Sequence, residues 1–347
     1  MSLFAPAAGP ESFSTESGCP CMHILIVTTS LPSPGHPNSL APLREQIESL
    51  RDLGIDISIL EVRGRTRLKY LGGIRSLWRC LSGVDLVHGH HGYCGWVARC
   101  QWACPVVVSF MGEDTLGMSY RTFWAAAFYR AVALANRWLA AWVDAVIVKS
   151  AEMQTALKWA DAHVIPNGVN TALFRPLKVT SARADLGWSQ DHKYILFGAN
   201  PNDSMKNFPL AQQAVLIAQE QLGESLTLVP LQGIDHHLVP IYMNACDVML
   251  FTSHQEGSPN VVKEAMACNL PVVSVPVADV PWLFEGASGY RLCCPNAHDL
   301  ARGLIETLTA DHLSVNGAQS IVDKHLTIQK TALKVAEIYE RVLQSKT

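Results

Sequence analysis

The chain has 347 residues, 49% hydrophobic and 16% charged, enough for two domains with large cores and against global disorder. Its formal net charge of -3 gives no overall basic signal for nucleic acid. Ten cysteines in a chain this long do not read as a disulfide framework and fit a reducing, cytosolic setting.

Residues 1–21 are rich in Ser, Pro, Ala and Gly, without the basic and apolar regions of a signal peptide. The fold is expected to begin at Met22, after a disordered tail or a misassigned start. His23–Thr28 reads as a buried strand, followed by the Pro/Gly-rich loop Leu31–Asn38 and a helix from about Ser39 to Leu53 that Gly54 stops. Strands are predicted over Ile55–Glu61, Asp85–His88, Pro105–Phe110 and Asp144–Lys149. Helices are predicted between them, over Leu71–Leu81, Gly95–Ala103, Arg121–Trp142 and Ala151–Ala160. No uninterrupted run of about 18 apolar residues occurs, so no membrane-spanning helix is predicted.

The short strand His163–Ile165 runs into Pro166-Asn167-Gly168-Val169-Asn170 and then Phe174-Arg175-Pro176, turn chemistry dense enough to mark a domain junction. A second series follows, with strands over Tyr194–Phe197, Leu226–Leu231, Asp247–Phe251, Pro271–Ser274 and Tyr290–Leu292. Its helices are predicted over Pro209–Glu220, Val239–Cys246, Pro259–Cys268, Ala297–Thr309 and Glu337–Val342. Strands alternating with helices imply parallel, doubly wound sheets, here two Rossmann-like α/β domains facing a cleft. Ligands of such sheets lie at the carboxyl ends of the strands.

The stretch Glu256–Ser274 carries the most chemistry. Ser258 suits an N-cap and Pro259 a first helical position. Seven residues separate Glu256 from Glu264. In a helix that is roughly 12 Å at about 1.5 Å per residue, too far for a glycosidase acid/base pair and suited to the two ends of one elongated ligand. Between them a helix N-terminus offers free N–H groups to a phosphate. A sugar nucleotide has that layout; an ordinary capped helix with two surface glutamates has the same spacing.

These residues resemble a known family. Glu256–Ser274 resembles the E-x7-E block of the retaining family 4 glycosyltransferases of GT-B fold. Val164–Pro176 (VIPNGVNTALFRP) resembles their interdomain segment, and Val84–Gly89 and Val106–Asp114 resemble first-domain strands. The resemblance covers nearly everything from His23 on. It implies an acceptor-binding domain over 22–170, joined by the closing helix at about 331–347, and a nucleotide-sugar domain over 171–330. By the same resemblance Glu256 lies near the transferred sugar, Glu264 holds the ribose hydroxyls, and Ser258, Pro259, Asn260 and Val261 beside Gly257 offer backbone groups to phosphate or sugar. Lys206, in the loop with Asn200, neutralises the diphosphate. No D-x-D occurs, and the resemblance implies no metal and no cofactor beyond the donor, such as a UDP- or GDP-sugar.

The chain departs from the family pattern twice. Asn200-Pro201-Asn202 stands where an Arg is usual before the lysine, and Met111 stands at the histidine of a His-Gly-x-Asp pattern, leaving Gly112 and Asp114. Asp114 is expected to hold an acceptor or sugar hydroxyl, and His90 is the imidazole chosen to reach the acceptor. The expected activity is transfer of a sugar, with retention, to a glycan, lipid-linked or small-molecule acceptor, in bacterial surface polysaccharide or lipopolysaccharide synthesis. The alternative is a non-catalytic sugar-nucleotide-binding protein with a degenerate site. Arg63, Arg65, Arg67, Lys69, Arg75 and Arg79 interleave with Tyr70, Leu71, Ile74, Leu77 and Trp78 and contain no acidic residue. That run fits either an anionic membrane surface or a solvated helix face. A cytoplasmic protein, peripheral on the inner face of the plasma membrane if the first reading holds, is expected.

Overall fold

A computed structural model describes residues 22–29, 41–64, 68–117 and 123–346. The predicted tail 1–21, the loop Leu31–Asn38, and Arg65 and Arg67 lie outside the described residues. Eleven described strands fall into two parallel sheets. The first holds β1 (His23–Thr28), β2 (Asp56–Glu61), β3 (Leu86–His90), β4 (Val106–Ser109), β5 (Ala145–Val148) and β6 (His163–Val164), in the order β2-β1-β3-β4-β5-β6. The second holds β7 (Lys193–Phe197), β8 (Leu226–Pro230), β9 (Val248–Phe251), β10 (Val272–Ser274) and β11 (Tyr290–Leu292), in the order β11-β10-β9-β7-β8.

The central strands are mostly apolar because helices cover both faces of each sheet. Side chains alternate between two cores, as a period of two requires. On β1, Leu25 and Val27 enter one cluster while Ile24 and Ile26 enter the other. On β9, Met249 and Phe251 face away from Val248 and Leu250 in the same manner.

The terminal helix Ile328–Gln344 packs on the first sheet. Its Ala332, Val335, Ile338 and Tyr339 share a core with Ile24, Ile26 and with Leu43, Ile47 and Leu50 of the helix Ala41–Asp52. Tyr339 Oη lies 2.6 Å from His88 Nδ1, and His88 Nε2 lies 2.9 Å from Ser109 Oγ. The return crosses the junction at Gly168, where a Cβ would come within 2.6 Å of Ile328 Cα. Only glycine admits that approach.

Sequence patterning left out the helices Val179–Leu186 and Gly317–Asp323 and the short turns Glu113–Leu116 and Ser204–Lys206. The first of them buries an arginine, Arg183, which is 4% exposed, on the face that would otherwise show an apolar stripe. Among the described residues no helix is long and apolar enough to cross a membrane.

Candidate active site in the interdomain cleft

The second sheet changes winding direction between β7 and β9, so the loops leaving their carboxyl ends border one crevice. One loop carries Lys206 and the other Glu256. The β7 loop closes in a 3-10 turn, Ser204–Lys206, where the Asp203 carboxylate accepts from Met205 N–H at 3.0 Å. Asn207 follows with φ 54°. Thr252, just past β9, donates its hydroxyl to Lys206 O at 2.8 Å, tying the two loops together. The outcome is a 2.6 Å ion pair between Lys206 Nζ and Glu256 Oε1, fifty residues apart in sequence.

The helix after Glu256 spans Asn260–Ala267, and the residue at its N-cap is Pro259, which has no side-chain cap bond. The predicted cap, Ser258, is engaged elsewhere. Its hydroxyl donates to Asp279 Oδ2 at 2.6 Å and accepts from Lys263 Nζ at 3.1 Å. Lys263 also donates to Asn167 O in the interdomain segment at 2.9 Å. Its ammonium is fully buried, and burial pulls its pKa down to about 8. Burial likewise raises the Asp279 carboxyl, against the pull of Lys263 and Ser258. With its cap site filled by proline, the helix start leaves its first N–H groups without intrahelical partners.

The two domains touch at this point. A Cβ on Gly257 would come within 2.6 Å of Met111 O and 3.0 Å of Gly112 Cα, so only a glycine lets the first-domain loop close so near. Gln255 Nε2 donates to Gly117 O at 2.7 Å across the same gap. A cavity of about 410 Å³ lies beside the contact, lined by Pro42, Leu43, Met111, Lys149, Asn167, Gly198, Lys206 and Glu256 through Val261. A second, of about 230 Å³, adjoins it and is lined by Glu113, Leu116, Asp203 and Gln255 among others.

Glu256, Lys206, Gly257, Ser258, Pro259, Asn260 and Val261 thus converge on one cavity. Glu264 lies beyond it along the helix, with its Oε1 3.4 Å from His236 Nε2. The hydrogen bond to Glu264 raises the His236 pKa, and burial raises that of nearby Glu45.

Two expectations are corrected. Asp114 is 2% exposed, and its carboxylate accepts from the backbone N–H groups of Gly92, Met111 and Gly112 at 2.9–3.0 Å, so it anchors its own loop instead of presenting oxygens to the cleft. His90 is 2% exposed, its ring tilted against that of His88 with centroids 4.2 Å apart, and neither ring nitrogen has a partner among the described residues. Burial holds it neutral, with His88 and Lys149 adding repulsion, and it does not line the cavity. Asn200, in the loop that carries Lys206, is exposed, and its side-chain oxygen accepts from Asn202 N–H at 2.9 Å. Sequence reasoning missed Lys149, Lys263, Asp279 and Glu113. Lysines read as surface residues by default, and only Glu113, next to Asp114, had a local signal.

Two family models match, Glycosyltransferase Family 4 over residues 23–173 and Glycosyl transferases group 1 over residues 186–310. The chain belongs to this glycosyltransferase family. Among relatives it is 26% identical to the D-inositol 3-phosphate glycosyltransferase of Mycolicibacterium gilvum, in a match covering 65% of this chain and 59% of that protein. It is 23% identical to TuaC of Bacillus subtilis, named for teichuronic acid biosynthesis, over 89% of this chain and 94% of that protein. Among solved structures the fold matches sucrose-phosphate synthase from Thermosynechococcus elongatus, with a TM-score of 0.76 at 18% identity, covering 93% of this chain and all of that one. It also matches Anabaena HepE, solved in complex with UDP, with a TM-score of 0.68 at 19% identity, covering 92% of this chain and 100% of that one. The family's fold is two facing α/β domains, and both sheets of this chain conform to it.

Proposed function

We propose that the chain transfers a sugar, with retention, from a nucleoside-diphosphate donor to a glycan, lipid-linked or small-molecule acceptor. The observation that carries this reading is the 2.6 Å Lys206–Glu256 pair beside an uncapped helix start in the cleft. HepE, a neighbour in fold, has been solved with UDP and with UDP-glucose, which supports a donor of this class. In the proposed mechanism the Lys206 ammonium moves from Glu256 to the diphosphate as negative charge builds on the leaving group. The Glu256 carboxylate then faces the developing oxocarbenium charge of the sugar. The departing phosphate takes the acceptor proton on the same face. Glu264, one turn further along the helix, meets the ribose.

A screen of UDP-, GDP-, ADP- and dTDP-sugars by thermal shift tests the donor class. A ligand that binds only the folded chain adds about 2.7 kcal/mol of stability at roughly 100 times its Kd. A raised Tm with one donor class is expected, and no shift with any of the four removes this reading.

The name of TuaC supports a role in surface polysaccharide synthesis. A peripheral site on the inner face of the membrane is part of the same proposal. The helix Lys69–Cys80 exposes Leu71 and Trp78 beside Arg75 and Arg79, and Leu68 just before it is 70% exposed. Apolar and basic groups mixed on one surface suit an anionic interface. The protein is expected to sediment with vesicles containing anionic lipid and to be released by salt. Absence of sedimentation at low salt removes the membrane role.

A further inference from the structure

The lysine assigned to the diphosphate is already paired with Glu256. A second lysine in the same cavity is not paired. Lys149 directly follows β5 in the first domain, is 3% exposed, and lines the cavity together with Ser258, Pro259 and Val261 of the second domain. No hydrogen bond or ion pair joins its ammonium to another described residue. Its one nearby carboxylate, Asp114, is taken up by three backbone N–H groups. Lys263, from the helix Asn260–Ala267, adds like charge, and His88 and His90 are held neutral by burial. Burial first, and then Lys263, pull the Lys149 pKa down to about 7.

An unneutralised buried cation is costly. What it faces across the cavity is the start of an eight-residue helix whose N-cap carries no side-chain hydrogen bond. Both features favour an anion, and they come from opposite domains. We propose that Lys149 and the start of the helix Asn260–Ala267 form one interdomain oxyanion site that takes the diphosphate of the donor. The inference rests on the donor reading above. It supplies, from the first domain, the cation that Asn200-Pro201-Asn202 lacks in the second. The anion then bridges the two domains.

The test is calorimetric titration of inorganic pyrophosphate, of UDP, GDP, ADP and dTDP, and of the matching nucleosides into the wild-type protein and Lys149→Met. Methionine keeps the length and burial of the stem. The variant is expected to bind pyrophosphate and the cognate nucleoside diphosphate at least about tenfold more weakly, with nucleoside affinity unchanged. Lys206 and Glu256 line the same cavity, and both remain in both proteins, so the difference reports Lys149. Equal diphosphate affinity in the two proteins overturns the site, as does failure of pyrophosphate and all four diphosphates to bind. If pyrophosphate binding depends on Lys149 while no nucleotide binds better than pyrophosphate, the anion site stands and the donor reading fails.

Discussion

Glu256→Gln is expected to lower turnover of the cognate donor by roughly 10²–10³-fold, the usual cost of removing one electrostatic group aimed at a developing charge. Glutamine preserves the shape and can still contact Lys206, so packing around the 16%-exposed side chain is kept. What is lost is the negative charge. That charge pairs with Lys206 in the free protein, and in the proposed mechanism it stabilises the sugar cation afterwards. Equal losses in kcat and kcat/KM are expected, since the group acts in the transition state. Lys206→Ala should lose transfer as well, because the leaving diphosphate then meets one cation fewer. Steady-state kinetics of nucleoside diphosphate release checks both, and wild-type rates in either variant remove the site assignment.

Arg183→Met is expected to destabilise the protein by about 3 kcal/mol while leaving turnover per folded molecule unchanged. Arg183 Nη2 contacts both Asp247 oxygens at 2.9 Å, Nε donates to Ala245 O at 2.9 Å, and Nη1 donates to Gln190 O at 2.7 Å. Asp247 also accepts from Tyr194 N–H at 2.7 Å, so one guanidinium joins the helix Val179–Leu186 to the starts of β7 and β9. Removing one partner of a buried pair costs about 3–5 kcal/mol because the other partner and its acceptors are stranded. The Asp247 side chain is 31% exposed, which puts the effect at the lower end. Denaturant unfolding measures it, and a loss below about 1 kcal/mol would show that Arg183 is not the hub described.

The two sheets were legible because parallel strands covered on both faces are apolar runs, and runs such as His23–Thr28 and Val248–Phe251 stand out from polar turns. The helix start a few residues after Glu256 was legible because glycine, proline and two spaced carboxylates are local signals. The remaining features depend on partners far away in the chain. Ser258 looks like a cap in sequence, yet Asp279 and Lys263 claim its hydroxyl. Asp114 fits a binding motif, yet its oxygens close on the loop that bears it. His90 sits in a strand whose residues are buried, which its loop-like neighbours Gly89 and His91 concealed. Lys149 and Lys263 are invisible to any pattern that counts lysine as solvated. The helix Val179–Leu186 was missed for the same reason, since its buried contact is an arginine.

The most direct measurement follows nucleoside diphosphate release when the purified protein is incubated with UDP-, GDP-, ADP- and dTDP-sugars, beside Glu256→Gln and Lys206→Ala. Release from one donor class by the wild type, and its loss in both variants, is the expected result. Release from none of the four, or release by the variants at the wild-type rate, would contradict sugar transfer at the Lys206–Glu256 cleft.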